Sequence, residues 1–228
     1  MIELIYNDKF ITVCIKPVGV LSERDNAKGR NMPELLKNAT GAYKIDTVHR
    51  LDKAVGGLMV YSKNQIASSS LSKQIADRKM IKEYLAVVHG SLPEKSGEMC
   101  DYLFKDSSKC KSFVVKNERK GAKFAKLEYK LLGSADYKGE KFSLVKIRLC
   151  TGRTHQIRVQ FSSRKMPLAG DRKYGSGNDG CDIALWSHRL CFSHPKSGET
   201  LDFKRYPKAD KFPWDLFRGD LESQNTNK

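Results

Sequence analysis

The chain has 228 residues, and its 42 Lys and Arg residues outnumber its 26 Asp and Glu residues, which gives a formal net charge of +16. A hydrophobic content of 39% and a mean hydropathy of −0.54 exclude a membrane-embedded protein, and recurring apolar clusters argue against an intrinsically disordered chain. A sequence pI near 9.6 makes a polyanion the expected partner, with nucleic acid first and an anionic membrane surface second.

The elements of the N-terminal half follow from apolar runs and turn residues. Residues 10–15 are apolar and β-branched, which predicts a strand that ends in a turn over 16–19. A short helix is expected over 32–38, a buried strand over 57–62 and an alternating strand over 81–89. Between the last two, Asn64 is suited to cap a helix with mostly helical spacing of its apolar residues, which are Ile66, Leu71, Ile75 and Met80.

The second half continues the mixture of strands and helices. Strands fit residues 125–132, 142–150 and 201–204, and a Gly-rich loop covers 170–180. Thr154 is suited to cap a helix that carries Ile157 and Phe161 and ends before Pro167. After a turn or helix over 212–217, residues 218–228 are polar and expected to be a disordered tail. The predicted class is α+β, with one domain over residues 1–217.

The six cysteines are at least ten positions apart, so the chain has no Cys-x-x-Cys pair and no zinc-finger spacing. A chain of this length has enough apolar residues to fold without disulfides. The first eight residues lack the basic segment and the continuous apolar run of a signal peptide. We therefore predict reduced thiols, a cytoplasmic location and no metal site.

Basic residues are dense between positions 105 and 130. Such a segment would bind backbone phosphates without sequence specificity. A solvated hairpin rich in lysine explains the same composition equally well, and the sequence leaves both interpretations open. The residues are Lys105, Lys109, Lys111, Lys116, Arg119, Lys120, Lys123, Lys126 and Lys130.

Three short stretches place charged residues within apolar or Gly-containing sequence. The first, His49-Arg50-Leu51-Asp52, precedes two glycines and suits a loop that presents a carboxylate at a cleft, although a buried Arg–Asp pair would explain it too. In the second, residues 82–84, Tyr84 is on an inward face and by itself could be a core tyrosine. The third, residues 151–159, gathers polar side chains where a strand meets a helix, as an ordinary exposed helix start also would.

Together and in this order, the stretches resemble one family, the RluA-type pseudouridine synthases. The resemblance extends from about residue 8 to residue 207, and six matches in the right order make coincidence remote. The matching motifs are Lys16-Pro17-x-Gly19, His49-Arg50-Leu51-Asp52, Lys82-x-Tyr84-x-Ala86, the run from Gly152 to Val159, Pro167-Leu168-x-Gly170-Asp171-x-x-Tyr174-Gly175, and Leu190-x-Phe192-x-His194-Pro195.

The resemblance implies a fold and an activity. The fold would be a mixed, mostly antiparallel sheet with flanking helices and a central basic catalytic cleft. The activity would be the isomerisation of uridine in structured rRNA or tRNA, in which the base leaves the ribose through N1 and rejoins through C5. It would need no metal ion and no organic or nucleotide cofactor. RNA would be the partner, with no membrane, and a monomer is expected.

The resemblance also implies roles for individual residues. Asp52 would be the catalytic carboxylate, which either attacks the ribose or removes a proton. Arg158 would pair with Asp52 and keep it ionised, because a nearby cation lowers a carboxylate pKa. Tyr84 would stack on the uracil and could assist proton removal from C5. Arg50 would help to evict the target nucleotide, which is easiest in loops and bulges.

The remaining candidates are assigned to substrate binding, namely His49, Arg153, His155 and Gln156. His155 and Gln156 would shape the pocket and its hydrogen bonds rather than move protons, and a purely structural role for His155 is equally open. The chain departs from the family pattern at two places. Val55-Gly56-Gly57 replaces Thr-Ser-Gly after Asp52, and Gln160 replaces a histidine after Arg158. These changes put substrate choice in doubt.

Many members of the family carry an N-terminal RNA-binding domain of the S4 type. The first predicted strand begins by residue 10, so we expect no such domain and predict that RNA affinity comes from the catalytic domain and weakens steeply with salt. A non-catalytic RNA-binding or ribosome-assembly factor is the main alternative. A metal-dependent nuclease ranks below both, because no second carboxylate has a spacing that would complete a metal site around Asp52.

Overall fold

The computed structural model describes residues 2–24, 29–175, 177 and 179–226, and the chain divides into two compact units. The first unit consists of Met1–Lys82 and Trp186–Arg205, and the second of Glu83–Leu185 and Tyr206–Lys228. Each unit is therefore built from two separate segments of the chain. That residues 1–217 act as one catalytic domain stays a prediction.

The elements follow one another in a strand-rich order. In chain order they are β1 (Leu4–Asn7), β2 (Ile11–Lys16), α1 (Met32–Thr40), β3 (Asp46–Thr47), β4 (Gly56–Ser62), α2 (Gln65–Ala76), β5 (Ile81–His89), β6 (Ser96–Asp106), β7 (Lys111–Val115), β8 (Ala122–Tyr137), β9 (Glu140–Leu149), α3 (Gln156–Ser162), β10 (Leu185–Ser193), β11 (Thr200–Lys204), a 3₁₀ helix (Trp214–Phe217) and α4 (Arg218–Thr226).

The first unit contains a mixed sheet in the order β1-β2-β4-β10-β11, with β3 also paired to β4. The pair β4/β10 is parallel and the others are antiparallel. All seven residues of β4 are buried, as the continuous apolar run predicts. The core is formed where β2, β4 and β10 meet α2, and it includes Val13, Val60, Leu71 and Leu190.

The second unit contains an antiparallel sheet in the order β5-β9-β8-β6-β7. Leu85 and Leu144 pack with Phe217 and Leu221 from the C-terminal helices in one cluster. A smaller cluster joins β6 and β8 to α3 through Leu103, Ala125 and Val159. The predicted α+β class with mostly antiparallel strands and flanking helices is confirmed. The central basic cleft stays a prediction.

The helix predictions are confirmed in part. Asn64 caps α2, because its side-chain oxygen accepts a hydrogen bond from the Ala67 N–H. The buried residues of α2 are Ala67 and Leu71, whereas Ile66 is 66% exposed and Met80 lies beyond the end of the helix. The polar run 68–70 leaves α2 with a narrow apolar face. The predicted row of four apolar residues was therefore wrong at its first member, Ile66, and at its last, Met80.

The start of α3 differs from its prediction. The residue before the helix is His155 rather than Thr154, and its φ of 54° places it in the left-handed region. No side chain caps the helix there. A predicted local cap was wrong because tertiary contacts of the preceding loop, described below, determine where the helix begins.

The C-terminal end is folded as far as the structure describes it. Residues 218–226 form α4 instead of the expected tail, because Leu221 is buried against the second unit and the Tyr206 hydroxyl donates to the Gln224 carbonyl at 2.6 Å. Residues 227–228, and residues 176 and 178 of the Gly-rich loop, lie outside the described residues. Across the described helices, none is long and apolar enough to cross a membrane.

Candidate active site

Asp52 lies partly exposed in the loop between β3 and β4. The loop turns at this residue, where the Val55 N–H donates to the Asp52 carbonyl at 2.9 Å. The residue before it, Leu51, is held by one hydroxyl: Ser22 Oγ accepts from the Leu51 N–H at 3.0 Å and donates to the Leu51 carbonyl at 2.7 Å. The backbone on either side of Asp52 is therefore tied down.

A buried lysine supports the same loop. Lys16 has no exposed surface, and its Nζ donates to the carbonyls of Val20 at 2.7 Å, Pro17 at 2.9 Å and Lys53 at 3.2 Å. Burial lowers the pKa of this ammonium to about 8, and the Asp52 carboxylate opposes that shift. The ammonium thus places a positive charge close to Asp52 and fixes the residue that follows it.

The glycines after Asp52 meet the neighbouring strand β10. A Cβ on Gly57 would lie 2.4 Å from the Ser187 carbonyl oxygen, and its φ of 117° is in the left-handed region. A Cβ on Gly56 would lie 2.7 Å from the Trp186 ring. The serine that the family pattern has at position 56 would therefore collide with Trp186. The presence of Trp186 thus explains why a glycine, and not the family's serine, occupies position 56.

His49 and Arg50 have different surroundings. His49 is buried, and its Nε2 accepts a hydrogen bond from the Val60 N–H at 3.1 Å. Burial, and next the charge of Lys82, lower the pKa of His49 to about 3. Arg50 is exposed and pairs with Glu23 at 2.6 Å. His49 therefore supports the loop through β4, while Arg50 faces solvent, and substrate contacts by either residue stay predictions.

In the second unit, α3 presents Arg158 to a carboxylate. Arg158 Nε and Nη2 donate to the two oxygens of Asp171, each at 2.8 Å. Asp171 is 1% exposed, and its Oδ1 also accepts from the N–H groups of Lys173 and Tyr174. Such a two-pronged pair sets both position and orientation of the guanidinium. It accounts for two of the five N–H donors of Arg158.

Tyr174 completes this arrangement. Its ring lies 5.2 Å from the Arg158 guanidinium carbon, and its hydroxyl accepts from the Ser112 N–H at 2.8 Å. The same hydroxyl lies 2.8 Å from His155 Nδ1. A phenol can accept a hydrogen bond and still donate its own proton, so the hydroxyl bridges the Ser112 N–H and the His155 ring. Burial raises the pKa of Tyr174, so the phenol keeps that proton.

The loop before α3 is held by Gln156. Its Oε1 accepts from Thr151 Oγ1 at 2.8 Å and from the Arg153 N–H at 3.0 Å, and its Nε2 donates to the Lys126 carbonyl at 3.1 Å. Gln156 is 3% exposed, so these contacts are buried. These hydrogen bonds fix the loop, and a place for Gln156 in the substrate site stays a prediction. The Arg153 guanidinium lies at the strand edge, where Nε donates to the Phe124 carbonyl.

Tyr84 and Gln160 are both buried. Tyr84 lies on β5 opposite Ile147 of β9 and is 6% exposed. Gln160, at the second departure from the family pattern, donates to the Met99 carbonyl at 3.1 Å and to Asp101 at 2.7 Å. It faces β6, so this departure changes a contact inside the second unit.

The candidates fall into two groups. His49, Arg50 and Asp52 share a loop of the first unit, and Arg153, His155, Gln156 and Arg158 lie close in sequence in the second, with Tyr84 on β5. The sequence motifs assign no role to Lys16, Ser22, Asp171 or Tyr174. Three of these lie in motifs that carried the family resemblance, and their spacing alone does not show what they contact. Ser22 had no signal.

Comparison with known proteins decides the family. Residues 11–163 match the sequence profile of the family described as RNA pseudouridylate synthase. The chain belongs to the RNA pseudouridine synthases. Enzymes of this family are isomerases that convert uridine in RNA to pseudouridine, so the predicted class of reaction and the RNA substrate are confirmed.

Curated relatives of this synthase cover most of the chain. An uncharacterized RNA pseudouridine synthase of Bacillus subtilis is 32% identical over 215 residues, which cover 89% of this chain and 68% of the relative. The ribosomal large subunit pseudouridine synthase D of Neisseria meningitidis is 33% identical over 225 residues, which cover 89% of this chain and 57% of the relative.

Solved structures share the fold of the synthase. Human RNA pseudouridylate synthase domain containing 1 matches with a TM-score of 0.77 at 22% sequence identity. The match covers 91% of this chain and 84% of the human chain. Human RNA pseudouridylate synthase domain containing 4 matches with a TM-score of 0.75 at 20% sequence identity. The match covers 96% of this chain and 93% of the human chain. These likenesses confirm the predicted pseudouridine synthase fold.

Proposed function

We propose that this synthase isomerises one or a few uridines in structured rRNA or tRNA, with Asp52 as the catalytic carboxylate. The observation that carries the assignment is the support of a partly exposed Asp52 by buried groups on both sides, Ser22 before it and Lys16 after it. A catalytic group must be held in one geometry, because misplacement by about 1 Å costs on the order of a hundredfold in rate.

The reaction breaks the bond between uracil N1 and ribose C1′ and forms a bond between C5 and C1′. The uracil leaves as an anion, turns and attacks through C5; C5 then loses its proton, and N1 gains one. Asp52 has two routes open to it. It can attack C1′ and expel the uracil, in which case C5 later displaces the carboxylate, or it can remove a ribose proton as the uracil leaves and return that proton when C5 rejoins C1′. Both need an ionised carboxylate.

Arg158 is the proposed partner of Asp52. The contact with Asp171 holds the guanidinium in one orientation through two of its donors, which supports a role in aiming a further donor at another acceptor. Tyr84 is the proposed stacking partner of the uracil, and Arg50 the proposed residue that fills the space of the flipped nucleotide. Arg153, His155 and His49 are proposed to line the substrate site, with Gln156 shaping the loop that carries two of them.

The alternative is an RNA-binding or ribosome-assembly factor that has lost catalysis. The presence of Asp52, Tyr84 and Arg158 together favours an active enzyme, because binding alone needs none of the three. Large-subunit rRNA is one candidate substrate, since the named Neisseria relative acts on the large ribosomal subunit. A cytoplasmic location is proposed with it.

To test this proposal, the purified protein is incubated with cellular RNA from a strain that lacks the protein, and the positions of pseudouridine are then mapped chemically. The wild type should add pseudouridine at one or a few positions, and Asp52→Asn should add none while its RNA affinity stays within about twofold. Asp77→Asn is the matched control, because Asp77 is an exposed carboxylate at the end of α2. Equal activity of Asp52→Asn and the control would contradict the assignment.

A further inference from the structure

Four aromatic side chains share the outer face of the sheet in the second unit. Tyr102 of β6 pairs with Phe124 of β8, and Phe104 of β6 pairs with Phe113 of β7. Tyr102 and Phe104 are two residues apart, so all four rings lie on one face, while the alternating Leu103 points into the core with α3. Phe113 is 38% exposed and Phe124 is 42% exposed.

The segment 116–121, which we name the crossing segment, passes from β7 to β8 over β6. The Arg119 guanidinium lies 4.6 Å from the Phe104 ring centroid, and the Tyr102 hydroxyl donates to Glu118 at 3.4 Å. These contacts cover Tyr102 and Phe104 in part. Phe113 and Phe124 stay open on the two sides of a segment that also carries Lys116 and Lys120.

The charge of this region is positive. Between residues 96 and 130 there are nine Lys or Arg and five Asp or Glu. Three of the carboxylates are engaged locally: Glu98 pairs with Lys126, Asp101 pairs with Arg164, and Asp106 accepts hydrogen bonds in the turn that joins β6 to β7. The crossing segment itself has three cations and one carboxylate.

We propose that Phe113, Phe124 and the crossing segment form a second RNA-contact surface, which binds unpaired nucleotides outside the catalytic site. Bases stack on the two phenyl rings, and backbone phosphates contact Lys116, Arg119 and Lys120. This inference rests on the proposed function only in taking RNA as the substrate. Unpaired nucleotides are specified because only their base faces are open to stacking.

Two observations favour RNA over a protein partner. Single-stranded nucleic acid is bound by aromatic rings for the bases together with cations for the backbone, and this face has both. The centre of a protein interface is instead depleted in lysine.

The surface also adjoins the loop that carries candidate site residues. Arg153 Nε donates to the Phe124 carbonyl at 2.9 Å, and the Arg153 N–H donates to Gln156. Phe124 therefore lies next to the loop before α3. An RNA strand that contacts this loop can continue across Phe124 to the crossing segment. Such contacts would add affinity for the RNA on one side of the modified uridine.

The test uses two fluorescent probes of twelve nucleotides, oligocytidylate and an abasic strand with the same number of phosphates. Oligocytidylate contains no uridine, so it is not a substrate. Phe124→Leu keeps the apolar cover of Tyr102 but cannot stack, and it should weaken oligocytidylate binding at least fivefold while the abasic probe is unaffected. Phe124→Trp should bind oligocytidylate at least as well as the wild type. Tyr43→Leu, at a 96% exposed ring of the first unit, is the control.

The charges are tested by replacing Lys116, Arg119 and Lys120 with glutamine together. This variant should bind both probes more weakly, and the slope of log affinity against log salt should fall in magnitude by about 2. Wild-type affinity for oligocytidylate in both Phe113→Leu and Phe124→Leu overturns the proposal. So does concentration-dependent self-association that Phe124→Ser abolishes without any change in RNA binding. Pseudouridine mapping with the same wild-type protein reports separately on the proposed function.

Discussion

Arg158 of α3 and Asp171, thirteen residues later, form a buried ion pair through two parallel hydrogen bonds of 2.8 Å. The side chain of Asp171 has no exposed surface and that of Arg158 has 9%. The same carboxylate accepts two backbone N–H groups of the following turn. The pair therefore joins α3 to residues 171–174 and orients the guanidinium that the family resemblance assigns to the active site.

Asp171→Asn should destabilise the protein and slow turnover. The substitution leaves a buried guanidinium without its counter-charge, which costs about 3–5 kcal/mol of unfolding free energy. We expect kcat to fall by on the order of tenfold to a hundredfold, with a smaller change in KM, because Asp171 acts by positioning Arg158. Denaturant unfolding and single-turnover pseudouridine formation measure the two effects.

The pair of Arg189 and Asp202 is the control for Asp171. It has the same two-pronged geometry, at 2.8 and 2.7 Å, but its side chains are 24% and 36% exposed. Asp202→Asn should cost about 1 kcal/mol or less and leave kcat unchanged. Equal losses of stability in the two variants would contradict the importance of burial at Asp171.

Lys16 should make stability depend on alkaline pH. The pKa of its ammonium is about 8 in the folded protein against an ordinary value of 10.5. Between these values the unfolded chain binds more protons than the folded one, so the unfolding free energy rises with pH, by about 1.4 kcal/mol per unit from this group. This gain in unfolding free energy from Lys16 is absent below pH 8 and complete above pH 10.5.

Urea unfolding of the wild type and Lys16→Met between pH 7.5 and 10 measures this slope. The variant should lose the alkaline rise relative to the wild type, whatever its absolute stability after the loss of three hydrogen bonds. Lys44→Met, at an exposed lysine, should follow the wild type. A slope in Lys16→Met that equals the wild-type slope would show that the buried ammonium does not titrate in this window.

Gly57→Ala should prevent normal packing of β4 against β10. The new methyl group would meet the backbone of Ser187 at 2.4 Å, and backbone cannot move aside as a flexible side chain can. We expect a loss of more than 3 kcal/mol or no folded protein. Gly139→Ala has a similar left-handed φ of 79° but open space around it, so thermal unfolding should show a cost of only about 1 kcal/mol.

His49 should stay neutral at pH 5. Its pKa is lowered to about 3, first by burial and then by Lys82, whereas an unfolded histidine has a value of 6.5. The unfolded chain therefore binds the extra proton between pH 6.5 and 3, and this ring removes stability as pH falls through that range. Nitrogen chemical shifts should show a proton on Nδ1 alone at pH 5, with the signal assigned by its absence in His49→Gln. Two protonated nitrogens at pH 5 would refute this.

Local patterns were enough for elements whose periodicity is clear. The strands β2, β4 and β5 and the helix α1 are predicted within two residues of their observed ends, because each is a single apolar or alternating run closed by turn residues. The strands β6 and β7 were not predicted as such. Their outer faces carry exposed rings and charges, so the alternation of buried and polar residues is obscured.

The composition and the order of the motifs by themselves determined a basic α+β protein of the pseudouridine synthase family and the residue types available for its chemistry. Only the tertiary structure decided which groups meet: Asp171 with Arg158, Ser22 with Leu51, Trp186 with Gly56, and Leu221 with the core of the second unit. The physical reason is range. Backbone periodicity is a property of neighbouring residues, whereas an ion pair or a steric contact depends on how distant segments of the chain pack.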